Sequence, residues 1–303
     1  SDPFQIDSLD NFTNEGLTFN GTLVSGGIFP DIKEPITLQN DYALGFERAT
    51  GTAGLPLYGR KAKFNATITL NGRGLQGNGT LEYLTTTVSS KSLIFMPDST
   101  LGRADTLTNV AATTPTKVPE VQGGDLFVRL TPADDLLRTE MLRKPMAMFG
   151  GQTLLHGTTD LKPSGMTGAG LADFGNATLR SDLYEFETML IHADTSDFRL
   201  TEGDTASIAF RTDNVNSTID LDERVGEFVS NGDETKVEFP VNQYFCYMDR
   251  FKWFMDQGDI ELESDRTAAA ANEDLQLAGS NFISSRPDQD SLSFMAPKAR
   301  YDL

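Results

Sequence analysis

The feature that most constrains this chain is that it repeats itself. Tyr58-Gly59, the run Phe64 to Leu70, the glycines Gly74, Gly77 and Gly79, then Ser90 and Phe95, form one block. Phe149-Gly150, Leu155 to Leu161, Gly165, Gly168 and Gly170, then Ser181 and Phe186, follow 91 positions later. Ala104-Asp105-Thr106 returns as Ala193-Asp194-Thr195. Chance rarely sustains one offset over so many positions, so a duplication is expected, and repeated units bury their apolar faces against their neighbours. A third, weaker copy runs through Trp253-Phe254-Met255-Asp256 and Ile260-Glu261-Leu262 to Ser291-Leu292-Ser293-Phe294-Met295, echoing Ser92-Leu93-Ile94-Phe95-Met96. It lacks the triple glycine, and Ala268 to Asp274 reads there as a short helical or disordered insertion. The copies divide the chain into a partial N-terminal repeat over 1–56, a first copy over 57–147, a second over 148–240 and a divergent partial third over 241–303.

Within a copy the hydrophobic period is two. Phe64, Ala66, Ile68 and Leu70 share one face while Asn65, Thr67 and Thr69 share the other, the pattern of a half-buried strand. Similar runs recur at Leu81 to Leu84, Leu93 to Met96, Leu126 to Leu130, Tyr184 to Ile191, Ile208 to Phe210, Val225 to Val229 and Val237 to Phe239, punctuated by Gly, Asn, Asp or Pro. The expected fold is therefore all-β, an elongated β-solenoid or β-helix-like stack of degenerate repeats of about 90 to 110 residues each, with two packed β-sandwich domains as the alternative. The glycines Gly74, Gly77, Gly79, Gly165, Gly168 and Gly170 are read as structural turns, where positive φ and close backbone approach let the chain reverse. Their spacing also matches a dinucleotide fingerprint, but strand follows where pyrophosphate binding needs a helix N-terminus. Thr131-Pro132-Ala133-Asp134-Asp135 leading into Leu142 admits a short helix, with a capping residue, an early proline and acidic first-turn residues, or an extended reading.

Composition bounds the function. The net charge of -19 argues against nucleic acid and anionic membrane surfaces, both of which need a basic footprint. No apolar run approaches the roughly 20 residues of a membrane helix. The opening Ser1-Asp2-Pro3-Phe4 reads as a cut within a longer protein. One cysteine, Cys246, rules out an intrachain disulfide and reads as a buried small hydrophobe. His156 and His192 stand outside any metal-ligand spacing, and no nucleophile motif is present, so the chain is expected to be no enzyme and to carry no cofactor. Two carboxylates suffice for glycoside chemistry, however, and 44 acidic residues leave that class open. Asp213, Asp220 and Asp222 are weak calcium candidates, with solvated turns as the blander reading, since EF-hand spacing is absent. Tyr244, Tyr247, Phe251 and Trp253, in the aromatic run Tyr244 to Phe254, are candidates for stacking on a sugar or anchoring a partner, with core packing as the other reading. Asn-x-Thr triplets at Asn11, Asn20, Asn65, Asn78, Asn176 and Asn216 match glycan acceptors of secreted eukaryotic proteins.

Gly26-Gly27-Ile28-Phe29-Pro30-Asp31, Asp41-Tyr42-Ala43-Leu44-Gly45-Phe46, Phe95-Met96-Pro97-Asp98-Ser99 and Pro287-Asp288-Gln289-Asp290-Ser291-Leu292-Ser293-Phe294 resemble recurring phrases of very long, uncharacterised repeat proteins of Bacteroidetes. The texture of Phe64 to Tyr83 is also similar to lipid-conducting β-groove proteins of the AsmA and TamB type. The first resemblance implies an extracytoplasmic location in the envelope or at the cell surface, and partners among neighbouring repeats. A glycan, lipid or protein ligand is compatible with both.

Overall fold

The computed structural model of the chain describes residues 4–13, 16–39, 42–202, 207–232, 235–264, 267–268, 277–278 and 280–302. The fold is all-β, and among the described residues no α-helix occurs. The strands close one eight-stranded barrel, with many further strands outside it. Two compact units are present: Ser1–Thr116 with Glu120–Met146 and Thr158–Ser164, and Lys117–Pro119 with Ala147–Gly157 and Gly165–Leu303.

The duplication is visible in the elements. Strands Leu55–Leu57, Ala62–Asn71, Gly74–Tyr83 and Thr86–Phe95 recur as Met146–Met148, Thr153–Lys162, Gly165–Asp173 and Ala177–Phe186, with their starts 91 positions on. The tight turn Tyr58–Arg60 recurs as Phe149–Gly151, with φ of 50° at Tyr58 and 55° at Phe149. Left-handed backbone at an aromatic residue is costly, and burial of both rings offsets it.

The second unit shows how the strands build a core. Leu190–Thr201 pairs along most of its length with Ile208–Asp220. Ile208–Asp220 then bonds at one end to Val225–Ser230 and at the other to Lys236–Phe239, so the sheet forks into two leaves. One leaf continues through Arg250–Phe254 and Asp259–Glu263, the other through Tyr244–Tyr247 and Ser280–Ser284. Phe198, Phe210, Phe228, Phe251 and Trp253, all buried, fill the wedge. Phe228 and Phe251 stack at 4.3 Å between ring centroids, and Trp253 lies 5.3 Å from Phe198. Each such ring contributes about 1.5–3 kcal/mol by leaving water. The first unit branches at an earlier strand: Thr86–Phe95 bonds to both Thr100–Ala104 and Thr106–Asn109, which pass to Leu126–Thr131 and Val121–Gly123 respectively.

One open alternative is decided for the extended reading, and one expectation is corrected. Thr131 to Leu142 is a hairpin: strands Leu126–Thr131 and Leu136–Met141 pair with Leu130 opposite Leu137. Leu137 and Thr139 are buried while Arg138 and Glu140 are exposed, a period of two that a helix would scatter over both faces. The glycines do not all serve chain reversal. Gly74 and Gly165 do open strands after turns, at φ of 94° and 149°. Gly77, Gly79, Gly168 and Gly170 lie inside strands, at matching register shifts between Gly77 and Gly79 and between Gly168 and Gly170. A Cβ at Gly77 would meet the Phe95 and Phe64 rings at 2.6 and 2.7 Å, and one at Gly79 would meet the Asn65 carbonyl at 2.0 Å. Close approach inside a bulged strand is what these positions require. The segment 269–274, read as an insertion, lies outside the described residues.

Candidate functional site

The aromatic run does not assemble a platform. Phe251 and Trp253 belong to the core, with Trp253 only 1% exposed and its ring between Phe174 and Phe198, so neither offers a face to a sugar. Tyr244 and Tyr247 are half-buried and three positions apart on one strand, which puts them on opposite faces. The Tyr244 hydroxyl donates to Gln289 Oε1 at 3.4 Å, and the Tyr247 ring stands edge-on to Phe245. Cys246 between them is fully buried, and desolvation pushes its thiol up to about 12.

The calcium candidates also stay apart. Asp213 and Asp220 lie in the same strand, Ile208–Asp220, separated by seven residues and hence by about 23 Å of extended chain. The Asp220 carboxylate accepts the N–H groups of Asp222 and Glu223, both at 2.9 Å, and so shapes the turn after the strand. No cluster of three or more metal-ligating side chains occurs among the described residues.

One depression lies where a ladder opens. Ala177–Phe186 and Leu190–Thr201 pair from Ala177 opposite Leu200 to Arg180 opposite Asp197, then again at Glu185 opposite His192. Between these stretches the strands part beside the bulge at Gly168 and Gly170. Ser181 Oγ bridges the gap by donating to the Thr195 carbonyl at 2.7 Å, and accepts the Leu183 N–H at 3.1 Å. The opening leaves a cleft of about 400 Å³ lined by Arg180, Asp182, Leu183, Asp194, Thr195 and Asp197 among others. Asp194 Oδ1 lies 3.2 Å from His192 Nε2 and from Asn216 Nδ2, and Asp197 Oδ1 accepts the Asn214 N–H at 3.2 Å. Carboxylates beside a guanidinium suit a polar ligand held by hydrogen bonds. The first copy opens at the same place, where Ser90 Oγ donates to the Arg103 carbonyl at 2.6 Å, but Lys91 and Ser92 stand there in place of Asp182 and Leu183. The geometry recurs and its chemistry diverges.

A second depression, of about 520 Å³, lies on the outer face of the fork's first leaf, with Leu190, Val225 and Phe254 as its floor and Glu227, Lys252 and Glu261 at its rim. Lys252 and Glu227 pair at 2.5 Å across it. Sequence reasoning used Ser181 and Ala193-Asp194-Thr195 only as repeat markers. The available signal was that polar residues interrupt the alternation at equivalent positions of both copies.

No family model, curated protein or solved structure matches the chain.

Proposed function

We propose that the chain is a non-catalytic structural and interaction segment of a large extracytoplasmic β-repeat protein, its copies following one another as a solenoid-like stack. The observation that carries this reading is the recurrence of four successive strands and the tight turn among them, their starts at a constant offset of 91 residues. Stacking of such units would bury sheet edges and apolar faces between neighbours, which would give repetition a physical purpose. A lipid-conducting groove would need Phe64, Ile68, Phe95 and Phe186 to line an open trough, whereas all four are buried, with Phe64 and Phe95 ring to ring at 5.1 Å. A second reading, a carbohydrate-binding segment, is favoured by the polar cleft between Arg180–Leu183 and Asp194–Asp197.

The test is a native mass spectrum of the chain purified from its own host, beside a delipidated control. Covalent sugar masses are the expected result for an envelope segment. Lipid-sized masses lost on extraction would reverse the preference between structural segment and groove. For the cleft, an oligosaccharide array followed by the Asp182→Ala variant separates binding there from binding elsewhere.

A further inference from the structure

The two units build corresponding sheets and charge them oppositely. Leu126–Thr131 pairs with Leu136–Met141 as Val215–Asp220 pairs with Val225–Ser230, every position 89 later. Arg138 opposite Asp160 therefore corresponds to Glu227 opposite Lys252. On the other flank, Phe95 opposite Thr100 corresponds to Phe186 opposite Ile191, 91 later, which carries Lys91 onto Asp182 and Arg103 onto Asp194. At all four places the sign of the charge is reversed.

In the first unit the outward face of this sheet is basic. Lys91, Arg103, Arg129, Arg138 and Lys162 stand there against Glu140 and Asp160, with Ile94, Leu101 and Phe127 half-buried between them. Asp125 pairs with Arg103 at 2.6 Å and Asp160 with Arg138 at 2.5 Å. Arg129 lies directly opposite Arg138, and like charges so placed repel unless an anion joins them. Among the described residues neither Arg129 nor Lys91 has a carboxylate partner. The corresponding face of the second unit is acidic, with Asp182, Glu185, Asp194 and Glu227 against Arg250 and Lys252. Leu183 and Val229 on that face are 57% and 53% exposed. Among the described residues Asp182 and Glu185 have no cation partner. Each face displays the charge that the other lacks.

We propose that the basic face of the first unit docks on the acidic face of the second unit in another molecule of this chain. Charge complementarity names the occupant, because a net-basic face is the exception in a chain of net charge -19 and its opposite is carried at corresponding positions of the other unit. The two faces differ, so the contact is heterologous and propagates from molecule to molecule. Five strands about 4.8 Å apart, over about 20 Å of their length, cover roughly 500 Å² a side, short of the roughly 800 Å² of a stable interface. Association is accordingly weak, with Kd between about 10 µM and 1 mM. The inference deepens the repeat function proposed above, and rests on it.

The test is sedimentation velocity of the intact chain from about 10 µM to 1 mM in about 150 mM NaCl, where the roughly 8 Å Debye length screens the net charge but not contacts across the interface. The weight-average mass is expected to climb with concentration and pass the dimer without a plateau. Lys91→Glu with Arg129→Glu makes the basic face acidic, and Asp182→Lys with Glu185→Lys makes the acidic face basic. All four side chains are exposed, so both variants keep the fold. Each variant alone is expected to associate at least about tenfold more weakly, and an equimolar mixture to recover association that neither has alone. A chain that stays monomeric to about 1 mM, variants that associate like the wild type, or a mixture that recovers nothing would overturn the proposal. Those results would leave the mass-spectrometric test of the parent reading untouched.

Discussion

At the scale of single residues, Trp253 and the bulge glycines carry the sharpest expectations. Trp253 is the only tryptophan and is enclosed by Phe174 and Phe198, so its native fluorescence should be blue-shifted and nearly insensitive to acrylamide, with quenching appearing only on unfolding. Ready quenching of the folded chain would return it to the candidates for ligand stacking. Gly79 and Gly74 separate two reasons for being glycine. A Cβ at Gly74 meets nothing within 4 Å, so Gly74→Ala costs only the strain of its φ of 94°, about 1 kcal/mol. A Cβ at Gly79 meets a backbone carbonyl that cannot turn aside, so Gly79→Ala costs more, about 2–3 kcal/mol, as read from urea midpoints. Equal losses would mean that the close strand approach is not what selects glycine there.

At the scale of elements, two tyrosines pin turns to strands. The Tyr58 hydroxyl, on the first tight turn, donates to the Met96 carbonyl at 2.8 Å and lies 2.7 Å from Thr100 Oγ1. The Tyr83 hydroxyl donates to the Asp135 carbonyl at 2.6 Å. Burial pushes both phenols up to about 12 from an ordinary 10.0. Below pH 10 folded and unfolded chains hold these protons alike, and the two groups give stability no pH dependence. Between pH 10 and 12 the unfolded chain releases protons that the folded chain keeps, so stability falls as pH rises. Melting temperatures across that window should drop for the wild type and drop less steeply for Tyr58→Phe. Loss of the Tyr58 hydrogen bonds should cost that variant about 1 kcal/mol at neutral pH.

At the scale of the whole molecule, charge and repetition dominate. The ion pairs are mostly solvent-exposed, such as Lys117 with Glu187 and Lys298 with Glu263, and pairs so placed add little to stability. The net charge of -19 repels itself, and salt screens that repulsion along with the pairs. Because like charges outnumber pairs, the melting temperature should rise between about 10 mM and 150 mM NaCl, where the Debye length shrinks from about 30 Å to 8 Å. A fall would show that the cross-strand ion pairs outweigh the net charge. Repetition acts in the other direction on stability, because neighbouring repeats bury apolar surface against one another.

Strand content, the duplication and its offset were legible in the sequence because they are local. A period of two needs only adjacent residues, and the repeat needs only letters compared with letters. Pairing partners were not legible. Ile208–Asp220 bonds to three different strands, and nothing in its own alternation says that its two halves part into separate leaves. That fork turned Phe251 and Trp253 from candidate ligand contacts into core, and a separate break in the ladder between Ala177–Phe186 and Leu190–Thr201 made the cleft. Sequence by itself determined an all-β chain built from copies of one unit. Which faces meet, and therefore which residues are buried and which line a site, only the tertiary structure decided, because burial depends on partners distant in the chain.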